Sequence, residues 1–360
     1  MNKKKIMIGL SGGVDSAVTA SILKSQGHDL EGVFMRNWDD DDSACQATTD
    51  LHDVEKLCDQ LGIPLHTVNF SKDYMDRVFA IMLEELKQGL TPNPDILCNQ
   101  EIKFDVLLKY VHKHAAQMLA TGHYARITTH HGAPALTRSV DDNKDQTYFL
   151  CRMPQEALRH VLFPIGIYAK PTIRDMAQKI HIPQANKPDS TGICFIGERK
   201  FRDFISQYLL DVPGDIVDTH GERIGRHKGL FFYTIGQRKG LSIGGRKHCA
   251  EEPWFVVEKH MQENRLVVAQ GDAHSSLYGD RLKAKSIHWL VDPDTLSQQM
   301  HVQAQIRHRQ PLQAATVEWS GDELIATFEQ PQRAITPGQS IAIYQNEICL
   351  GSAIISGSTS

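Results

Sequence analysis

Apolar residues in the first third of the chain follow two alternating patterns. Short apolar runs at Lys5-Ile6-Met7-Ile8-Gly9-Leu10, at residues 30–35 and at residues 65–70 read as buried strands. Between them the spacing is helical: Val14, Ala17, Val18 and Ile22 as far as Gly27, then Val54, Leu57, Cys58 and Leu61 as far as Gly62. Met75, Val78, Phe79, Met82 and Leu86 predict a long helix ending near Gly89, and Phe104, Leu107, Leu108 and Val111 predict another. Met118-Leu119-Ala120 adds a strand, and Ile173, Met176, Ala177 and Ile180 a further helix. Strands separated by helices predict an α/β fold with a doubly wound parallel sheet. Ligands of such sheets bind beyond the carboxyl ends of the strands.

Past residues 201–210, which read as a helix, the period falls to two. Residues 254–258 and 265–269 predict a hairpin about Gln262-Glu263-Asn264. Val302, Ala304 and Ile306 then alternate with Gln303, Gln305 and Arg307, and residues 341–344 form another strand. The expected organisation is a nucleotide-binding catalytic domain over 1–207, a small β-rich domain over 208–275 and a β-barrel over 280–360. A chain of 360 residues is too long for one ordinary core.

Net charge is −4, so the whole chain is no obvious polyanion binder. Its distribution changes that picture. Residues 1–110 carry 11 Lys/Arg against 18 Asp/Glu, whereas residues 199–247 carry 10 against 5, which reads either as a polyanion footprint on an acidic protein or as a solvated face of mixed charge. Seven cysteines with no Cys-x-x-Cys argue against a disulfide framework, a zinc ribbon or an iron–sulfur cluster, and no flavin is expected. The apolar run after Lys3-Lys4-Lys5 is too short for a signal peptide, and no run approaches membrane-spanning length. The expectation is therefore a cytosolic protein without a membrane partner. Residues 39–42 read as an acidic solvated loop, with a metal site the weaker alternative.

The chemistry starts at Ser11-Gly12-Gly13-Val14-Asp15-Ser16, between a strand and a helix. Glycines let the backbone approach a phosphate, and the unpaired amides and positive end of a helix attract it. No Gly-Lys-Ser/Thr follows and no G-x-G-x-x-G is present, so this is neither a Walker nor a dinucleotide loop. Asp15 beside a phosphate calls for a divalent cation between them, with Mg²⁺ the expected ion. Two cysteines stand apart from the others. Cys98 follows Thr91-Pro92-Asn93-Pro94-Asp95, and Cys194 lies in Ser190-Thr191-Gly192-Ile193-Cys194-Phe195. Both read as residues of breaker-rich loops, where chemistry concentrates. Cys58 instead occupies a helical core position.

The loop resembles the SGGxDS signature of the ATP pyrophosphatases, which cleave ATP to AMP and pyrophosphate while adenylating a substrate. Several further stretches follow in order: Asn93-Pro94-Asp95 with Cys98, Ala120-Thr121-Gly122-His123-Tyr124-Ala125, Lys144-Asp145-Gln146-Thr147-Tyr148-Phe149-Leu150 and the Cys194 stretch. Tyr233-Thr234-Ile235-Gly236-Gln237-Arg238-Lys239-Gly240 and Thr336-Pro337-Gly338-Gln339-Ser340 complete the set. Together they resemble the bacterial tRNA-specific 2-thiouridylases over essentially the whole chain. The resemblance implies ATP bound by Gly9, Leu10, Ser11, Gly12, Gly13, Val14, Asp15, Ser16, Met35 and Gly122. It implies adenylation of the wobble uridine at carbon 2, then sulfur transfer from a persulfide on Cys194. Cys98 would be the other catalytic thiol, closing a transient Cys98–Cys194 disulfide. Implied tRNA contacts are Asn93, Pro94, Asp95, His123, Lys144, Asp145, Gln146, Arg307, His308 and Gln339. The family usually carries Arg-Tyr where this chain has Arg307-His308. A sulfur-relay persulfide donor is the implied partner, and a monomer the expected state. Two other readings remain open: an adenylating enzyme of the same superfamily that uses an amine, and a non-catalytic RNA-binding protein.

Overall fold

The structure is a computed structural model that describes residues 3–38, 46–182, 185–188, 201–243 and 252–359. The acidic stretch 39–42 and Cys194 with its flanking motif lie outside the described residues. In the first part of the chain the strands are β1 (Lys5–Gly9), β2 (Asp29–Arg36), β3 (Leu65–Asn69), β4 (Met118–Ala120), β5 (Ala125–His130), β6 (Ala133–Arg138) and β7 (Val161–Leu162). A parallel sheet runs in the order β3-β2-β1-β4-β7. Ile6, Met7 and Ile8 of β1 are wholly buried, Ile6 and Ile8 in one core cluster and Met7 in another, so the strand is covered on both faces.

The helices are α1 (Val14–Ser25), α2 (Gln46–Leu61), α3 over residues 71–87, α4 over residues 94–113, α5 (Thr147–Leu150), α6 (Lys170–Lys179) and α7 (Phe201–Ile205). Two of them depart from regular geometry: α3 is π-helical over Met75–Phe79 and α4 over Cys98–Val106. Such widened turns recur at functional sites. The π turns are tied together, since Arg77 bonds Glu101 and reaches Asp105 at 2.8 Å. The helix expected over 201–210 is regular only as far as Ile205.

The central sheet has the order β10-β11-β8-β9, from β8 (Gly214–Asp218), β9 (Arg223–His227), β10 (Trp254–His260) and β11 (Arg265–Gln270). Here β10 and β11 form the expected hairpin, with Asn264 in its turn at φ 50°. The last sheet is built from β12 (Tyr278–Trp289), β13 (Gln299–Gln305), β14 (Gln313–Ser320), β15 (Glu323–Arg333), β16 (Ser340–Gln345) and β17 (Ile348–Thr359). Because β12 pairs with both β15 and β17, these six strands close into a barrel and leave no free edge among themselves. The hairpin β5–β6 extends that sheet through the Ile348–Thr137 pairing, so the first part of the chain is stitched to the barrel. Among the described residues no helix is long and apolar enough to cross a membrane.

Candidate active site

Strand order reverses about β1 and β4, which opens a crevice beyond their carboxyl ends. One wall is the loop from Leu10 to Gly13. Its own hydroxyls shape it: Ser11 N–H donates to Ser16 Oγ at 3.2 Å, and the Ser16 hydroxyl donates to the Gly13 carbonyl at 3.1 Å. Gly12 sits at φ 75°, and a Cβ there would lie 2.8 Å from Asp50 Cβ. The other wall is Thr121-Gly122-His123, where a Cβ on Gly122 would fall 2.7 Å from the Ser16 backbone nitrogen. Both glycines are required by close approach. Gly13, the N-cap of α1, makes no side-chain cap bond, so the first-turn amides and positive helix end suit an anion.

Asp15 is answered from within the protein. Its Oδ1 and Oδ2 each accept from Lys170 Nζ at 2.8 Å, and Oδ1 also accepts from Tyr124 Oη at 2.8 Å. A divalent cation is therefore not needed to explain this carboxylate: a buried ammonium balances it. Among the described residues no group of three or more His, Cys, Asp or Glu could hold a metal ion. A second lysine braces the loop from the other side. Lys187 Nζ donates to the Gly12 carbonyl at 3.1 Å, to Asp50 at 2.6 Å and to Asp53 at 2.8 Å. Burial works against that charge, but the bonds to Asp50 and Asp53 outweigh it and raise the Lys187 pKa.

Cys98 is not in a loop. Asn93 is the N-cap of α4, accepting from Ile96 N–H at 3.2 Å, and Pro94 takes the first helical turn, so the prolines start a helix rather than break one. Cys98 then opens the π segment and is wholly buried in an apolar cluster with Trp38, Tyr74, Phe79, Phe204 and Ile205. The described flanks of the Cys194 segment both reach this neighbourhood: Lys187 on the phosphate loop, Phe204 and Ile205 in the cluster around Cys98. The other described cysteines are plain core residues. Burial pushes the Cys58 and Cys151 thiols up to about 11 and also raises that of Cys349 well above its ordinary value.

Most of the expected RNA-contacting residues converge where the barrel meets α4. Gln339 Nε2 donates to the Thr91 carbonyl at 2.8 Å, and its Oε1 accepts from Asn93 Nδ2 at 3.5 Å. Asp95 and Lys144 both act electrostatically on His308, whose ring lies 4.3 Å from that of Phe149. Burial, with Arg309 and Lys144, holds His308 below its ordinary pKa. Arg307 is exposed beside a cleft of about 350 Å3, which Thr91, Thr234, Gln237 and Gln339 also line.

Three expected contacts pair or pack within the protein instead. Asp145 is buried, accepting from Ser139 N–H at 2.8 Å and the Thr147 hydroxyl at 2.6 Å, so its carboxylate orders the loop. Desolvation raises its pKa. Gln146 Oε1 accepts from Tyr124 N–H at 2.9 Å. His123 packs against Phe104 and Phe163 with Nδ1 2.7 Å from Thr121 Oγ1. Burial and Lys103 hold it well below 6.5, hence neutral. Met35, near the end of β2, packs against the core cluster that includes Ile96 and Phe104.

Three family models match in succession: a tRNA methyl transferase HUP domain over residues 4–198, a tRNA methyl transferase PRC-barrel domain over 202–270 and an aminomethyltransferase beta-barrel domain over 279–355. The tRNA-specific 2-thiouridylase MnmA of Pseudomonas fluorescens (strain Pf0-1) is 49% identical over 356 residues, covering 98% of this chain and 95% of that protein. The chain belongs to the tRNA-specific 2-thiouridylase family. The protein of the same name from Photorhabdus laumondii is 48% identical over 358 residues, with 98% and 97% covered. Among solved structures, the U34-tRNA thiolase NcsA from Methanococcus maripaludis aligns at TM-score 0.37 and 17% identity over 57% of this chain and 65% of that one. Sequence reasoning within this family missed Lys170. A signal was present, because a lysine at the first position of a helix opposes the macrodipole and needs an acidic partner elsewhere.

Proposed function

We propose that this protein converts the wobble uridine of tRNA to 2-thiouridine in an ATP-dependent reaction. The observation that carries the reading is the likeness, over 98% of the chain, to relatives named for that activity. The word methyltransferase in the family descriptions does not outweigh names attached to full-length relatives. ATP is a substrate whose phosphates lie on the residue 9–16 loop, with Gly122 closing the opposite wall and Met35 meeting the nucleoside. Magnesium arrives with the phosphates. Lys170 and Tyr124 hold Asp15 in place, and Lys187 holds the loop carbonyl that would otherwise repel an anion.

In the proposed sequence the uridine O2 attacks the α-phosphorus, pyrophosphate departs, and O2 becomes part of an AMP leaving group. The terminal sulfur of a persulfide on Cys194, loaded by a sulfur-relay donor, attacks carbon 2 and AMP leaves with its oxygen. The Cys98 thiolate then attacks Cys194 Sγ, which frees the sulfur on the base and closes a Cys98–Cys194 disulfide for a reductant to reopen. Closure needs the two Cα atoms within about 7 Å. Cys98 is buried together with Phe204 and Ile205, so its thiol must become accessible before it can attack. Catalysis is assigned to residues 1–207, and RNA is held by Asn93, Asp95 and Lys144 of that region together with Arg307, His308 and Gln339 of the barrel over 280–360. The test is release of AMP and pyrophosphate on adding unmodified tRNA. Release that depends on tRNA supports the reading, and equal release without RNA contradicts it.

A further inference from the structure

Two buried carboxamides near the site carry unpaired polar atoms. Asn37 is 1% exposed, and neither its Nδ2 nor its Oδ1 has a hydrogen-bond partner. Asn99, directly after Cys98, is 2% exposed; its Nδ2 donates to the Phe149 carbonyl at 3.0 Å while its Oδ1 is left unpaired. That bond fixes the orientation of the Asn99 amide, since a carbonyl accepts only from the nitrogen. An unpaired buried amide is among the costlier groups a fold retains, and a ligand that pairs it is a physical reason to retain it.

The position of Asn37 says which ligand. Along β2, Val33 and Met35 join the cluster that holds Ile96, Phe104 and Leu107 of α4, while Leu30 and Phe34 join the cluster built on α1 and α2. Asn37 follows the last residue of β2, beyond Met35 at the carboxyl edge of the sheet. Its neighbour Trp38 belongs to the cluster around Cys98. Asn37 thus stands between the strand end near the nucleotide and the helix that carries the thiol.

We propose that the Asn37 carboxamide reads the edge of a nucleobase, donating from Nδ2 to an acceptor on that edge and accepting at Oδ1 from the adjacent N–H. One side chain with a donor and an acceptor side by side matches the N6–H/N7 pair of adenine and the N3–H/O4 pair of uracil. The proposal rests on the reading that ATP and a tRNA uridine meet here. Those two bases are two sources of one chemistry, and the experiment separates them.

Asn37→Leu keeps the branched outline and removes the unpaired amide. Without ligand this variant melts at or above the wild-type temperature, because no internal bond is lost. One arm measures ATP affinity by calorimetry. The other compares binding of two tRNA transcripts, one with uridine and one with N3-methyluridine at the wobble position. The result expected is a tenfold or larger loss in one arm. Weakened ATP binding with intact uridine discrimination assigns adenine; lost discrimination with intact ATP binding assigns uracil. Asn37→Ala must lose the same arm. Variants that bind ATP and discriminate the transcripts as wild type does overturn the proposal, as does a variant that melts well below wild type yet keeps both affinities. A wild type that bound neither ATP nor tRNA would instead overturn the functional reading beneath it.

Discussion

Lys170 begins α6, and its ammonium closes on Asp15 at 2.8 Å with only 9% of its side chain exposed. Lys170→Met leaves Asp15 with Tyr124 alone, and a lost charged hydrogen bond costs about 1.5–3 kcal/mol. The expected outcome is a lower melting temperature together with at least tenfold slower pyrophosphate release; a variant that melts lower but releases pyrophosphate at the wild-type rate would restrict Lys170 to structure. Gly122→Ala drives a Cβ into the Ser16 amide, so it abolishes ATP binding in a calorimetric titration while the apo protein keeps its circular dichroism. His308→Ala removes a ring next to Phe149, and loss of one stacking platform weakens tRNA binding by about 1–3 kcal/mol. Unchanged affinity would exclude His308 from the RNA surface. At this scale the strand–turn–helix path of residues 9–16 was legible, because its glycines declare the backbone's course. The inward turn of Asp145 was not, since nothing in Lys144-Asp145-Gln146 distinguishes a carboxylate that faces RNA from one that bonds Ser139 and Thr147.

Among the elements, α4 shows how a local signal can be read two ways. Pro92, Asn93 and Pro94 look like helix breakers, yet Asn-Pro is also an N-cap followed by a first-turn proline, and the structure takes the second meaning. The apolar spacing of Phe104, Leu107 and Val111 marked only the last turns, because the π segment from Cys98 shifts the period away from 3.6. Strands β5 and β6 went unread for another reason. Thr128, Thr129 and His130 are polar, Pro134 sits inside a strand, and the turn is His131-Gly132, at φ 46° and 79°, rather than Asn-Gly. The central hairpin and the barrel's β13 and β16 were visible because β13 alternates and the others are short apolar runs bounded by turn residues. Asn93→Ala should cost about 1 kcal/mol through the lost cap. It also frees Gln339, so tRNA affinity should fall with it; thermal melts and filter binding on the same sample test both.

For the whole molecule, the joints between the three sheets matter most. Gln339 ties the barrel to Thr91 and Asn93, β17 pairs with β6, and Lys259 of the central sheet donates to the Gly89 carbonyl at 3.0 Å. Burial pushes the Lys259 amine down to about 8. Its folded pKa lies below the unfolded value, so between the two the unfolded chain binds more protons. The Lys259 contribution to stability therefore rises as pH climbs from about 8 toward 10.5 and is lost as pH falls back. Urea midpoints across that window should rise more in wild type than in Lys259→Met, and parallel curves would contradict the assignment. These joints place residues from all three regions around one crevice, which no single stretch of sequence displays.

The most direct measurement is nucleoside mass analysis of unmodified tRNA incubated with the protein, ATP, Mg²⁺ and a persulfide donor. Wild type should replace one uridine oxygen by sulfur, and both Cys98→Ala and Cys194→Ala should lose that change. AMP and pyrophosphate released with no mass change, or a mass change that survives in Cys194→Ala, would contradict the account.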